Sequence, residues 1–143
     1  MARRYRKPKY KPSRRKSTKT ATGKAKLLQG AYRRATDRTD TLSMADAKQI
    51  VANPPDCPYC RKPIPYLDIS IDHIQPKSKG GSSAKDNLVY CDRQCNFAKG
   101  DLTGPEFTAL MDFLALHPAM QEPVLRRLIA GSARIYGRRG RRR

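Results

Sequence analysis

Four cysteines, set as two close pairs, constrain this chain more than any other feature. Cys57 and Cys60 are two residues apart, Cys91 and Cys95 three, and there is no other cysteine in 143 residues. A two-residue spacer lets one tight turn present two sulfurs to one ion, and two such pairs form the four-ligand pattern of a structural zinc site. A disulfide or a redox pair is the competing use. No apolar run approaches a membrane span, and no apolar segment follows the basic N-terminus as in a secretory signal. The chain is therefore expected in a reducing cytoplasm, where paired cysteines serve metals more often than disulfides. The lack of a βαβ pattern speaks against a redox pair. A zinc held by four thiolates has no open position, so it would hold the fold and leave chemistry to other residues.

A staple of this kind suits the composition. The length fits one domain, yet only 38% of residues are hydrophobic, with no Trp and three Phe, and a small domain with so little to bury often relies on a metal. The net charge of +19 is concentrated at the ends. Residues 1–36 hold fourteen Lys or Arg and no acid, residues 134–143 six Arg and no acid, and residues 37–133 eleven basic and twelve acidic side chains. A near-neutral domain with cationic arms gathers a polyanion, and nucleic acid fits best, because each neutralised phosphate releases counterions. The arms lack the amphipathic face or lipidation motif of a membrane binder. Arg3, Arg4, Arg6, Lys7, Arg14, Arg15, Lys16, Arg138, Arg139 and Arg141 are the expected phosphate contacts, with Tyr5 and Tyr10 able to stack on bases.

The chain divides into a disordered arm at 1–24, leading helices at 25–53, a core at 54–102, C-terminal helices at 103–131 and an Arg-rich arm at 132–143. Residues 25–38 predict a weak helix with Leu27, Leu28 and Tyr32 on one side and Gly30 inside it. A stronger one follows Ser43, which with Asp46 makes a capping box, puts Met44, Ala47, Ile50 and Val51 on one face, and stops by Asn53 before Pro54 and Pro55. Leu67, Ile69 and Ile71 alternate with Asp68, Ser70 and Asp72 as in a half-buried strand. A polar loop with a Gly-Gly hinge spans 76–86, Leu88 to Tyr90 form a second strand, and CDRQCNFAKG turns into a helix. Thr103 and Glu106 box a further helix with Phe107, Leu110, Met111 and Leu114 inward, ending near His117, itself a helix-end cap. The last helix is expected to begin at Pro123, bury Val124, Leu125, Leu128 and Ile129, and end at Gly131.

Within this frame CPYC, IDHIQPKSKGG, DNLVY and CDRQCNFAKG follow one another between residues 57 and 101. In order and spacing they resemble the HNH family of nucleases. The resemblance implies an α+β fold, a small ββα-metal core stapled by zinc at Cys57, Cys60, Cys91 and Cys95 and flanked by helices. It implies Asp72 and His73 at the end of the first strand, both turned to one site, Asn87 fixing the loop that carries the base, and Asn96 on the helix. Asn96 stands where a second His is commoner, which makes this an HNN-type variant. The nine-residue step from Asn87 to Asn96, with Lys99 three further on, resembles the HNH domains of RNA-guided effector nucleases.

The chemistry of these residues agrees. Phosphodiester hydrolysis needs an activated water and charge neutralisation at the phosphate. His73 is the candidate general base, since imidazole alone titrates near neutrality when unperturbed. Asp72 and Asn96 offer two oxygens to a divalent ion, the manner of Mg²⁺, which keeps water and substrate phosphate as its other ligands. Lys99, on the same helical face as Asn96, is placed to reach a phosphate.

The expected function is a metal-dependent DNA endonuclease that nicks one strand, acting as a monomer or homodimer on double-stranded DNA, with RNA as the other possible substrate. The competing reading is a non-catalytic zinc module that binds nucleic acid as an accessory of a larger machine. A protein or RNA guide is not legible in the sequence. Free-standing HNH proteins with such tails resemble phage-borne and mobile-element nucleases.

Overall fold

The computed structural model describes the backbone of residues 20–139 and the side chains of 20–132. The phosphate contacts expected at Arg3 to Lys16 and at Arg141, with Tyr5 and Tyr10, lie outside the described residues, as do the side chains of Arg138 and Arg139.

The first helix, α1, is Ala21–Ala35, opened by Thr20, whose side chain accepts from Gly23 N at 3.0 Å. It starts four residues earlier than the sequence suggested and stops before Thr36. Ala25, Leu28, Tyr32 and Ala35 form its buried stripe, whereas Leu27 is 48% exposed. Asp37 and Arg38 then both take the left-handed conformation, at φ 51° and 66°. Two successive residues cannot continue a right-handed helix in that state, so the chain turns sharply there. The second helix, α2, is Met44–Ala52, as its Ser43 cap and Asn53 stop predict. It packs on α1 through Ala47 and Val51.

After the CPYC turn, Tyr66–Asp68 is a single 3-10 turn and β1 begins only at Ile69, running to His73. It pairs antiparallel with β2, Leu88–Asp92, in the register Ile69 to Asp92, Ile71 to Tyr90 and His73 to Leu88. The simple alternation of apolar-in and polar-out fails on β1: Asp72 is 7% exposed, while Ile71 is only partly buried. Both faces of the ribbon are covered, one by α1 and the other by the third helix, α3, at Arg93–Lys99. A strand with two covered faces needs a partner for its polar side chains as well.

The loop between the strands is packed rather than hinged. A Cβ on Gly81 would lie 1.8 Å from Gln75 O, so glycine is there to let two backbone segments touch. The fourth helix, α4, is Gly104–Leu116, with the Thr103/Glu106 capping box complete and Phe107, Met111 and Leu114 buried. His117 is its C-cap.

The last helix differs most from expectation. Its range is Pro118–Arg139, so α5 starts five residues before Pro123 and passes through Gly131. Pro118 is well suited to a first turn, where its missing N–H costs nothing. Beyond Gly131 the helix still has a surface to follow, because Ser132 donates to Phe97 O near the end of α3. Val124, Leu125, Leu128 and Ile129 are half-buried against the core rather than fully enclosed.

Candidate active site and metal centre

The two ends of the β ribbon carry different chemistry. At its His73 end, Ser70, Asp72, His73, Lys77, Arg93 and Asn96 line one cleft of about 650 Å³. Asp72 and His73 are strand neighbours and point to opposite faces. Both reach the cleft because β1 ends at His73 and its outer edge is unpaired in this two-stranded sheet.

His73 is fixed from the α1 side. Its Nε2 lies 3.0 Å from the carbonyl oxygen of Ala35, the last residue of α1. A helix-end carbonyl is an acceptor without an intrahelical donor, so Nε2 carries the proton and Nδ1 is the basic nitrogen. The turn that presents Ala35 is itself braced. Thr36 Oγ1 donates within this turn, to Tyr32 O at 3.1 Å among its neighbouring carbonyls, and Tyr32 donates to Asp40 Oδ2 at 2.7 Å. Asp37 accepts from Lys77 Nζ and Ser83 Oγ of the inter-strand loop, and these bonds hold its carboxyl below the usual range.

Asn87 secures the same loop. Its Oδ1 accepts from Gln75 N at 2.9 Å, and its Nδ2 donates to Gln75 O at 3.0 Å and Ser82 O at 2.8 Å. Asn96 donates through Nδ2 to Ser70 Oγ at 2.7 Å and Ile71 O at 3.3 Å. Tying down the nitrogen of a planar amide turns its carbonyl oxygen away from the strand.

Lys99 departs from the expected phosphate contact. It is 1% exposed, with Nζ 3.1 Å from Asp72 Oδ2 and 3.0 Å from His73 O. The buried Asp72 carboxylate demands a counter-charge, and Lys99 supplies it from beneath rather than reaching outward. Tyr59 donates to Asp72 Oδ2 at 2.7 Å while its ring stands edge-on to Phe107, centroids 5.2 Å apart. No sequence pattern singled out Tyr59; its position inside the CPYC turn was the available signal. Lys24 was also missed: 4% exposed, it donates to Ile69 O at 2.9 Å from within α1.

At the other end of the ribbon, Cys57, Cys60 and Cys95 bring their sulfurs within 4.8 Å of one another. Cys91 is not among them. Fully buried, its sulfur lies 3.8 Å from Ser70 Oγ, its register partner on β1. Strand pairing fixes which way that side chain points, and burial pushes its thiol pKa up. Cys57 is pulled down to about 5, first by a hydrogen bond from the Cys95 thiol and further by the N–H groups of Asp92, Cys60 and Tyr59, against the effect of burial. A thiolate so supported beside two further thiols is a fitting donor set for a soft or borderline cation such as Zn²⁺.

A two-stranded antiparallel ribbon followed by a helix, with an Asp-His-Asn cleft at one end and a cysteine cluster at the other, is a ββα architecture with a potential metal site. Residues 57–111, from the first knuckle past the middle of α4, match the family model described as HNH endonuclease, and the ribbon, helix and cysteine cluster are consistent with a small HNH core. No curated protein and no solved structure matches the chain. Among the described residues no helix is long and apolar enough to cross a membrane.

Proposed function

We propose that this protein is a metal-dependent DNA endonuclease that nicks one strand by hydrolysing a phosphodiester in the cleft. The observation that carries the reading is the fixed imidazole: His73, held through Nε2 by Ala35 O, lines the same cleft as Asp72 and Asn96. With Nε2–H committed, His73 Nδ1 takes a proton from water as its oxygen bonds to phosphorus, the bond to the leaving sugar oxygen breaks, and solvent protonates that oxygen. Asp72 and Asn96 fit a hard divalent ion such as Mg²⁺. Tyr59 and Lys99 occupy only part of the carboxylate's accepting capacity, and few protein oxygens suffice when water and phosphate complete the shell. Such an ion, when bound, neutralises the phosphate and the leaving oxygen. Lys99 and Tyr59 hold Asp72 in place, and Asn87 holds the loop beside His73.

Cys57, Cys60 and Cys95 would hold a structural zinc. The Arg and Lys residues of the two arms supply phosphate contacts, and Lys77 and Arg93 add positive charge at the cleft. Purified protein with Mg²⁺ is expected to relax supercoiled plasmid, and His73→Ala to slow nicking by about 10²–10⁴-fold, the worth of a general base. Equal nicking by the variant would exclude His73 as the base. Salt-sensitive binding without cleavage in any divalent metal would leave a nucleic-acid-binding module instead.

A further inference from the structure

Three thiols do not complete the tetrahedral shell of a structural zinc, which takes four ligands. The remaining cysteine is held toward Ser70 by strand register. Its neighbour Asp92 ends β2 and, as the next residue on a strand, points to the opposite face. Asp92 also lines a cavity together with Cys60 and Cys95.

Asp92 holds in the second turn the place that Cys57 holds in the first. Cys57 opens a tight turn, closed by Arg61 N donating to Cys57 O at 2.8 Å. Asp92 opens α3, and its Oδ1 accepts from the N–H two residues later, that of Gln94, at 2.7 Å. Each is followed after a two-residue spacer by a cysteine of the cluster, Cys60 or Cys95. The two turns are also joined, because Asp92 N donates to Cys57 Sγ at 3.4 Å. Capping α3 occupies one carboxylate oxygen, and the other remains for coordination.

We infer that Asp92, not Cys91, is the fourth protein ligand of the metal held by Cys57, Cys60 and Cys95. The inference rests on the reading of the cysteine cluster as a metal centre and is independent of what the cleft does. It makes the site S₃O rather than S₄ and assigns Cys91 to the core.

Full-length protein loaded with Co²⁺ tests this, because near-ultraviolet thiolate-to-metal charge transfer grows with the number of coordinated sulfurs. Wild type and Cys91→Ser should reach the same charge-transfer intensity per protein, and Asp92→Cys should raise it by about one third, from three thiolates to four. Asp92→Asn keeps a capping side chain and should weaken metal binding by at least about tenfold, the loss that outer-shell partners alone produce. A lower intensity in Cys91→Ser, or unchanged affinity in Asp92→Asn, would overturn the assignment. Should Cys91→Ser not fold, zinc-edge X-ray absorption of the wild type decides alone: three sulfurs and one oxygen support Asp92, and four sulfurs refute it. Absence of any bound metal would overturn the metal centre as well, whereas loss of nicking with these spectra intact bears only on the nuclease reading.

Discussion

Replacing Lys99 by methionine separates a buried counterion from a substrate contact. The Lys99 side chain has no exposed surface, Asp72's has 8%, and the charges stand 3.1 Å apart. At an effective dielectric near 20, charges at that distance attract by about 5 kcal/mol. Removing one member of a buried pair costs about 3–5 kcal/mol, because the other is left charged and unpaired. Methionine keeps most of the volume, so little of that loss would come from a cavity, although the bond from Nζ to His73 O at 3.0 Å goes too. A total near 4 kcal/mol is a large share of the roughly 5–15 kcal/mol by which a domain is stable. In zinc-saturated urea titrations it should lower the midpoint by about 2 M, for a slope near 2 kcal/mol/M that itself stays unchanged. Adding Asp72→Asn should recover part of the loss, giving a coupling of about 1–3 kcal/mol. A solvated, phosphate-seeking lysine would instead change stability by less than about 0.5 kcal/mol while weakening DNA binding. That outcome would refute the role drawn from the structure.

Two other perturbations test the contribution of α1. Asp37→Ala unclips the helix-end turn from Lys77 and Ser83 and should lower the nicking rate severalfold while leaving the unfolding midpoint nearly unchanged, since its ion pair is exposed; a rate equal to wild type would show that the clip does not position His73. Burial, aided by Arg93 and opposed by Asp68, lowers Lys24 from 10.5 to about 8. Between those pH values the unfolded chain binds more protons, so stability should rise with pH across the window, by about 3 kcal/mol in full. Below pH 8 the lysine is charged in both states and the cost of burying it is fully present; above 10.5 it is absent. Denaturation of wild type and Lys24→Met over pH 8 to 10.5 checks this, and parallel curves would refute it.

Much of the ββα core could be read from the chain because its determinants are local. Ser43, Thr103 and Glu106 cap their helices by contacts three residues apart, and Leu88 to Tyr90 lie within the observed β2. What escaped was decided by partners distant in sequence. The inward turn of Lys99 depends on Asp72, 27 residues away, and the setting of His73 on Ala35, 38 residues away. The reach of α5 past Gly131 depends on Phe97. Spacing could not show how the second cysteine pair divides: it counts residues, whereas strand register sets Cys91 beside Ser70 while Cys95 joins Cys57 and Cys60.

The match to the family stops short of α1, which begins 36 residues before Cys57. Yet α1 supplies the only acceptor described for the His73 ring, and its following turn grips the loop between the strands. The backbone oxygen of Ala35 cannot be removed by substitution, so its position depends on the two left-handed residues after it and on Thr36, which is 1% exposed and binds Tyr32 O. The ribbon and the cysteine cluster lie within the matched segment, but the orientation of its proposed base is set by a helix outside it. Catalytic competence in this protein should therefore depend on α1 docking, and changes along the Tyr32–Asp40 contact should affect turnover before they affect metal content.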